Sequence, residues 1–317
     1  PDRYRSDLAG SLHHLGVRFA ELGRFDEALS AEQEAVTIYR ELAEVYPDRY
    51  RGDFARSLSA LGVTFSELGR PVEALPVVRE AVVIFRELAE VYPDRYRSDL
   101  AGSLHHLGVR FAELGRFDEA LSAEQEAVTI YRELAEVYPD RYRPDLAGSL
   151  SALGVTFSEL GRLAEALFVE QEAVTIYREL AQAFPDRYRS DLAGSLHHLG
   201  VRFAELGRFD EALSAEQEAV TIYRELAEVY PDRYRGDFAR SLSALGVTFS
   251  ELGRPVEALP VVREAVVIFR ELAQAFPDRY RPDLATSLSN LGRCFSALGR
   301  PAEALAAEQE ALAIHRE

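Results

Sequence analysis

An all-α, right-handed α-solenoid of seven helix–turn–helix repeats is the fold this sequence predicts, on three observations. The pentapeptide PDRYR starts at Pro1, Pro47, Pro93, Pro139, Pro185, Pro231 and Pro277, a period of 46 residues that never slips. Within each period the apolar residues fall at helical spacing. Gly and Pro punctuate each period at the same places. A repeat of this length overrides the two-domain expectation that 317 residues would otherwise carry. The repeats are 1–46, 47–92, 93–138, 139–184, 185–230, 231–276 and 277–317, read as one continuous solenoid over residues 1–317.

Each repeat divides into two helices. In the first repeat Leu8, Leu12, Leu15, Phe19 and Leu22 advance by three or four and make one helical face. That predicts a first helix over 5–22. Gly23 ends it, because glycine takes the left-handed conformation a helix C-terminus needs at no steric cost. Pro144 and Pro282 are placed at the start of this helix in their repeats, where the missing N–H is harmless. The second helix is predicted over 25–45. Its stripe is Ala28, Ala31, Ala35, Ile38, Leu42 and Val45, widened by Leu29, Val36 and Tyr39, so it faces two neighbours. Asp26 and Glu27 suit its positive end, and Pro71, Pro255 and Pro301 stand at its first position. Tyr46-Pro47 stops it. PDRYR is then a turn between repeats, with tyrosine packing and Arg–Asp pairs among Arg3, Tyr4, Arg5 and Asp7. Pro76 and Pro260 fall inside the second helix, tolerated near its start on an outer face. One helix pair cannot bury a two-sided stripe, whereas stacked pairs can.

A longer period of 92 overlies the first. The repeats at Pro1, Pro93 and Pro185 are identical, and those at Pro47 and Pro231 differ only at residues 90–92 against 274–276. Such identity points to recent duplication.

Composition excludes several classes of function. The formal charge is -17, and every basic residue is Arg, which speaks against a nucleic-acid partner that must be met by positive surface. No apolar run approaches the ~18 residues of a membrane helix. The single cysteine, Cys294, allows no internal disulfide and fits a reducing, cytoplasmic compartment. The absence of Lys, Met and Trp beside abundant Ala, Gly, Leu and Arg suggests a GC-rich bacterial genome. The chain opens at Pro1 in mid-pattern without any Met, and so reads as an excerpt.

The repeat resembles the tetratricopeptide repeat, whose signature is W-x2-L-G-x2-Y, then A-x3-F, then P. Here the pattern is Leu12-x2-Leu15-Gly16-x2-Phe19, then Gly23, Ala28 and Ala35; the next repeat has Leu58, Leu61, Gly62, Phe65, Gly69, Ala74 and Ala81. The resemblance covers the whole chain. The usual Trp is Leu12, and the usual aromatic after Ala28 is Glu32, with Val78 in the alternate repeat and Glu170 in the fourth. The closing proline arrives at Pro47 instead of position 40, so both helices are lengthened. This makes it similar to the longer-helix variants of bacterial regulatory proteins.

The resemblance implies a non-enzymatic interaction scaffold whose first helices line a concave groove for a peptide or protein. Carried over position by position, the groove residues are His13, Val17, Ala20 and Glu21 in the first repeat and Arg56, Ser59, Val63, Ser66 and Glu67 in the second. The later counterparts are His105, Glu113, Ser151, Glu159, His197, Glu205, Arg240 and Glu251. The ladder Glu21, Glu67, Glu113, Glu159, Glu205 and Glu251 calls for a basic partner unless each Glu pairs locally, for instance with Arg24. The family's carboxylate clamp needs Lys and Asn, which this groove lacks apart from Asn290. The pairs His13-His14, His105-His106 and His197-His198 read as solvated groove residues. Adjacent helical positions diverge by about 100°, so a pair does not chelate one metal. No cofactor, catalytic constellation or metal cluster is expected. Two alternatives stand beside the scaffold: a self-assembling array stacking end to end, and the sensor arm of a larger bacterial regulator.

Overall fold

The computed structural model describes residues 2–316, with the side chains of Asp2 and Arg3 excepted. Pro1, Glu317 and the Arg3 side chain, which belong to the predicted turn and the last repeat, lie outside the described residues. The described chain is fourteen α-helices. They are α1 (Asp2–Glu21), α2 (Phe25–Val45), α3 (Pro47–Glu67), α4 (Pro71–Val91), α5 (Pro93–Glu113), α6 (Phe117–Val137), α7 (Pro139–Glu159), α8 (Leu163–Ala183), α9 (Pro185–Glu205), α10 (Phe209–Val229), α11 (Pro231–Glu251), α12 (Pro255–Ala275), α13 (Pro277–Ala297) and α14 (Pro301–Arg316). They group into two compact halves, Pro1–Arg162 and Leu163–Glu317.

The predicted helices are present, but PDRYR is not a turn. It is the first turn of the next helix, and a single residue such as Tyr46 separates α2 from α3. Proline at the first position of α3 needs no N–H acceptor, and Asp48 faces the positive helix end. The same shift moves Pro144 and Pro282 inside α7 and α13, not to their starts. Pro71, Pro255 and Pro301 do begin α4, α12 and α14. Pro76 and Pro260 lie within α4 and α12 on the exposed side. The turn after each first helix is closed by glycine. Gly23 has φ 70°, its N–H bonds to Ala20 and the N–H of Arg24 to Phe19, both at 2.9 Å.

In each half every helix packs along the next, and alternate first helices also touch: α1 with α3, α3 with α5 and α5 with α7; α9 with α11 and α11 with α13. Among the described residues the second helices make no such close approach to one another. Their spacing is bridged instead by long ion pairs, Arg40–Glu80 and Arg86–Glu126 in one half, Arg224–Glu264 and Arg270–Glu310 in the other. First helices therefore form the tighter layer of each half, and second helices the wider one.

The core repeats with the sequence. Leu100, Leu104, Leu107 and Phe111 of α5 are buried, as are Ala120, Ala127, Val128 and Tyr131 of α6. Tyr50 is buried too, edge-on to Tyr46 at 6.3 Å between centroids. The arginines of the tag pair with second-helix glutamates instead of aspartates, as Arg5–Glu41 and Arg97–Glu133 do. Val45, the last of the predicted stripe, is exposed at the end of its helix, and Leu22 is exposed in the turn.

One buried residue breaks the apolar pattern. Glu32 of α2, Glu124 of α6 and Glu216 of α10 are each about 1% exposed. Each lies on a glycine of the preceding helix: a Cβ on Gly16, Gly108 or Gly200 would come within 2.5, 2.4 or 2.5 Å of the glutamate Cγ. Glycine here provides room, not conformation. Val78 of α4 fills the same notch over Gly62, 2.2 Å from such a Cβ. Burial pushes the carboxyls of Glu32, Glu124 and Glu216 up to about 7, with the facing hydroxyls of Thr64, Thr156 and Thr248 pulling the other way.

Candidate functional site

In each half the first-helix layer carries the candidate residues of that half. His13, Val17, Arg56, Ser59, His105, Ser151, His197 and Arg240 are all half-buried on first helices, and Glu21, Glu67, Glu113, Glu159, Glu205 and Glu251 are exposed on the same helices. The structure draws some of them into a built cavity and leaves others outside it.

Arg56 of α3 is the organiser. Its guanidinium donates to Asp99 of α5 through Nε (3.2 Å) and Nη2 (2.9 Å), and to Asp53 of its own helix through Nη1 (3.2 Å). It lies 5.7 Å from the ring centre of Tyr96. Hydrogen bonding to Asp99 raises its pKa further, so it is a fixed cation. Beside it the hydroxyls of Ser59 and Ser103 meet at 2.9 Å. These groups, with His13, His106, Gly102 and the buried ring of Phe85, line an open pocket of about 290 Å³.

The second half builds the same cavity from equivalent positions. Arg240 pairs with Asp237 (3.0 Å) and Asp283 (3.2 Å), and Ser243 meets Ser287 at 3.2 Å. His197, Phe269, Thr286 and Asn290 complete a volume again of about 290 Å³. Arginine occupies this helical position only in the second and sixth repeats; elsewhere it is Gly10, Gly102, Gly148, Gly194 or Thr286. Two such sites are therefore written into the 317 residues.

Sequence reasoning found His13, Arg56, Ser59, His197 and Arg240 but missed the aspartates. Asp99 and Asp283 sit 43 residues beyond their arginines, one repeat later and one helical turn back. A single-repeat pattern cannot show that juxtaposition; the signal was that Asp7 and its counterparts recur beside the only arginines of the groove.

Four glutamates of the ladder are ion-paired, three of them with an arginine of their own helix and Glu251 with one of the next repeat. Arg18–Glu21 (2.6 Å), Arg110–Glu113 (3.3 Å), Arg202–Glu205 (3.2 Å) and Arg293–Glu251 (2.8 Å) are ion pairs. Arg24 pairs with Glu27 across the turn, not with the ladder. Exposed pairs of this kind contribute little stability, but they lower the charge a ligand would meet.

The histidine pairs are partly sheltered. His105, His106, His197 and His198 are half-buried, because α4 and α8 cover one side of α5 and α9, and only His14 at the open side of α1 is exposed. Burial, with neighbouring arginine and histidine charges, holds these four imidazoles below the ordinary histidine range. Paired rings lie 5.7–5.8 Å apart and tilted. Among the described residues no three His, Cys, Asp or Glu side chains are grouped to hold a metal. No described helix is long and apolar enough to cross a membrane. Cys294 is a buried free thiol.

This geometry has counterparts among known proteins. The chain is similar in structure to BtubC (BKLC) from P. vanneervenii, with a TM-score of 0.59 and 22% identity over 76% of this chain and 89% of that one. It is similar to the apo form of RapI at a TM-score of 0.67 and 16% identity, covering 97% of both chains. It is also similar to a signal transduction ATPase with numerous domains from Pyrococcus horikoshii that carries a tetratricopeptide repeat sensor. There the TM-score is 0.68 and identity 14%, over 96% of this chain and 42% of that one. At these identities the likeness is one of fold. No curated protein matches the chain. Models described as tetratricopeptide repeat match residues 8–48, 100–140, 146–186, 192–232 and 268–317. Proteins of that family generally mediate protein interactions and are generally not enzymes. The all-helical repeats, the Leu-Gly notch under α2, α4, α6, α10, α12 and α14, and these matches make the chain a member of the tetratricopeptide repeat family.

Proposed function

We propose that the chain is a non-enzymatic interaction scaffold that binds a peptide or protein along the first-helix layer of its halves. The carrying observation is the recurrence of one polar cavity in both halves, around Arg56–Asp99 and Arg240–Asp283. Each offers imidazole and hydroxyl groups against an aromatic wall, a volume suited to a side chain and not to a cofactor. The net charge of -17 favours a basic partner. A reducing, cytoplasmic setting agrees with the lone buried thiol.

Panning a displayed peptide library against the full chain tests this. Binders rich in Lys and Arg are expected, and filling the cavities by Ser59→Trp with Ser243→Trp is expected to weaken them at least about tenfold, or ~1.4 kcal/mol. Binders indifferent to both substitutions but sensitive to changes on the second helices would overturn the assignment. A second reading, the sensor arm of a larger bacterial regulator, is supported by the likeness to the Pyrococcus horikoshii protein with its repeat sensor. The reading frame around this segment tests it: no regulatory domain beside the repeats would sink it.

A further inference from the structure

The two polar pockets are copies that differ on one side. The first is lined from α1, α3 and α5 with Phe85 of α4, the second from α9, α11 and α13 with Phe269 of α12. The first and fifth repeats are identical, and the second and sixth differ only at residues 90–92 against 274–276. His13 and His197, Arg56 and Arg240, and Ser59 and Ser243 therefore match. The difference is confined to α5 against α13: Ser98, Gly102 and His106 stand where the second half has Pro282, Thr286 and Asn290. Thr for Gly adds bulk, Asn for His removes it, and both volumes are about 290 Å³. Size is kept while the chemistry of one wall changes. The first pocket is open although α7 packs beyond α5, and the second although α8 packs on α9, so further helices on either side leave such a pocket open.

The changed wall alters which hydrogen bonds remain to be made. In the first pocket Ser59 and Ser103 share one bond at 2.9 Å, which leaves the Ser59 oxygen with a lone pair to spare. In the second, Asn290 Nδ2 donates to Ser243 Oγ at 3.4 Å while that hydroxyl also meets Ser287 at 3.2 Å, so the same oxygen is taken up. The Thr286 hydroxyl donates to the Pro282 carbonyl of its own helix at 3.0 Å.

His13 and His106 both line the first pocket, each with its Nδ1 buried and unpartnered. Burial holds both imidazoles below the ordinary histidine range, so both are neutral at pH 7 and each keeps one acceptor nitrogen. The guanidinium of Arg56 is outnumbered by the carboxylates of Asp53 and Asp99. The first pocket is thus rich in acceptors. The second has one imidazole, an amide in place of the other, and the carbons of Ala244 and Val247 in its lining. A guanidinium carries five N–H donors and no acceptor, which suits the first; an amide carries both kinds of group, which suits the second.

Resting on the reading of these pockets as side-chain sites, we propose that they read different residues of a partner. The first takes the guanidinium of an arginine, the second the neutral amide of an asparagine or glutamine, and His106 against Asn290 makes the choice.

Panning displayed random peptides against two single-pocket proteins tests this. Ser243→Trp leaves the first pocket open, and Ser59→Trp the second. The first protein is expected to enrich arginine at one peptide position, the second asparagine or glutamine. His106→Asn, added to Ser243→Trp, is expected to weaken the arginine peptides at least about tenfold. Asn290→His, added to Ser59→Trp, is expected to turn that pocket toward arginine, a gain that a damaged fold cannot give. Each exchange installs the residue this chain already carries at the equivalent half-buried position, so helicity by circular dichroism is expected to stay unchanged. Single-pocket proteins that select the same residue, or selections that survive both exchanges, overturn the proposal while leaving the pockets as peptide sites. If neither single-pocket protein retains the peptides that the unaltered chain binds, the pockets are not independent side-chain sites and the proposal falls with that reading.

Discussion

Replacing three of the four buried glutamates, Glu32→Gln with Glu124→Gln and Glu216→Gln, is expected to stabilise the protein at pH 8 more than at pH 5. Each carboxyl is about 1% exposed and titrates at about 7 in the folded chain, against 4.5 ordinarily. A raised folded-state pKa means the folded form holds its proton longer than the unfolded one. The sites therefore cost nothing below about pH 4.5, cost progressively more as pH rises, and reach their full penalty above about pH 7. At about 1.4 kcal/mol per tenfold change in proton affinity, the penalty is ~3 kcal/mol per carboxyl at pH 8. The amide keeps the shape over Gly16, Gly108 and Gly200 and carries no charge to desolvate. Thermal melts at pH 5 and pH 8 check this. Since the lowered pKa values of His105, His106, His197 and His198 act with the opposite sign in both proteins, the readout is the difference between them: the triple variant is expected to gain in melting midpoint over the natural chain between pH 5 and pH 8. Because unfolding of a repeat array need not be two-state, the comparison is of midpoints and not of extrapolated free energies. If both proteins showed the same shift between pH 5 and pH 8, the carboxyls would be ionised or solvated in the folded state and the reasoning refuted.

Three further outcomes follow from single sites. Gly108→Ala places a Cβ 2.4 Å from Glu124 Cγ and is expected to destabilise by about 1–3 kcal/mol; pairing it with Glu124→Ala is expected to relieve most of that in a double-mutant cycle. Gly115→Ala, at φ 69°, is expected to cost about 1 kcal/mol by denaturation although nothing lies within 4 Å of the added methyl, because the cost is in the backbone. Cys294 is about 1% exposed at the position held by Thr64, Thr156 and Thr248. Its thiol is expected to resist a disulfide reagent until the chain unfolds, and Cys294→Thr to change stability by less than about 1.5 kcal/mol.

Much of the fold was legible from local rules. The glycine at position 23, the proline at 47 and the prolines opening α4, α12 and α14 act through backbone sterics that a sequence displays directly. Where reading failed, burial overrode residue type. Glu32 was noted only as a departure at the usual aromatic position, yet it falls four after Ala28 and three before Ala35, on the alanine stripe and over the Gly16 notch. PDRYR looks like a polar turn, although proline at a first helical position followed by aspartate is the same start signal as at Pro71. The partial shelter of His106 and His198 has a related cause: they lie on the side of their helices that the preceding repeat covers, which a single repeat does not reveal. The cavity was half legible, since Arg56 and Arg240 stood out while Asp99 and Asp283 come from the next repeat.

The single residue at Tyr46 and its counterparts has a consequence for how such a chain can change. Between one second helix and the next first helix there is no slack in which an inserted or deleted residue could be lost. One residue more would turn the following helix by about 100° and take Leu58 and Leu61 off the face they share with α2. A length change of a whole period leaves every helix in phase. The chain is therefore built to grow or shrink by entire repeats, and the copies that match over all 46 positions are what that restriction leaves behind in the sequence.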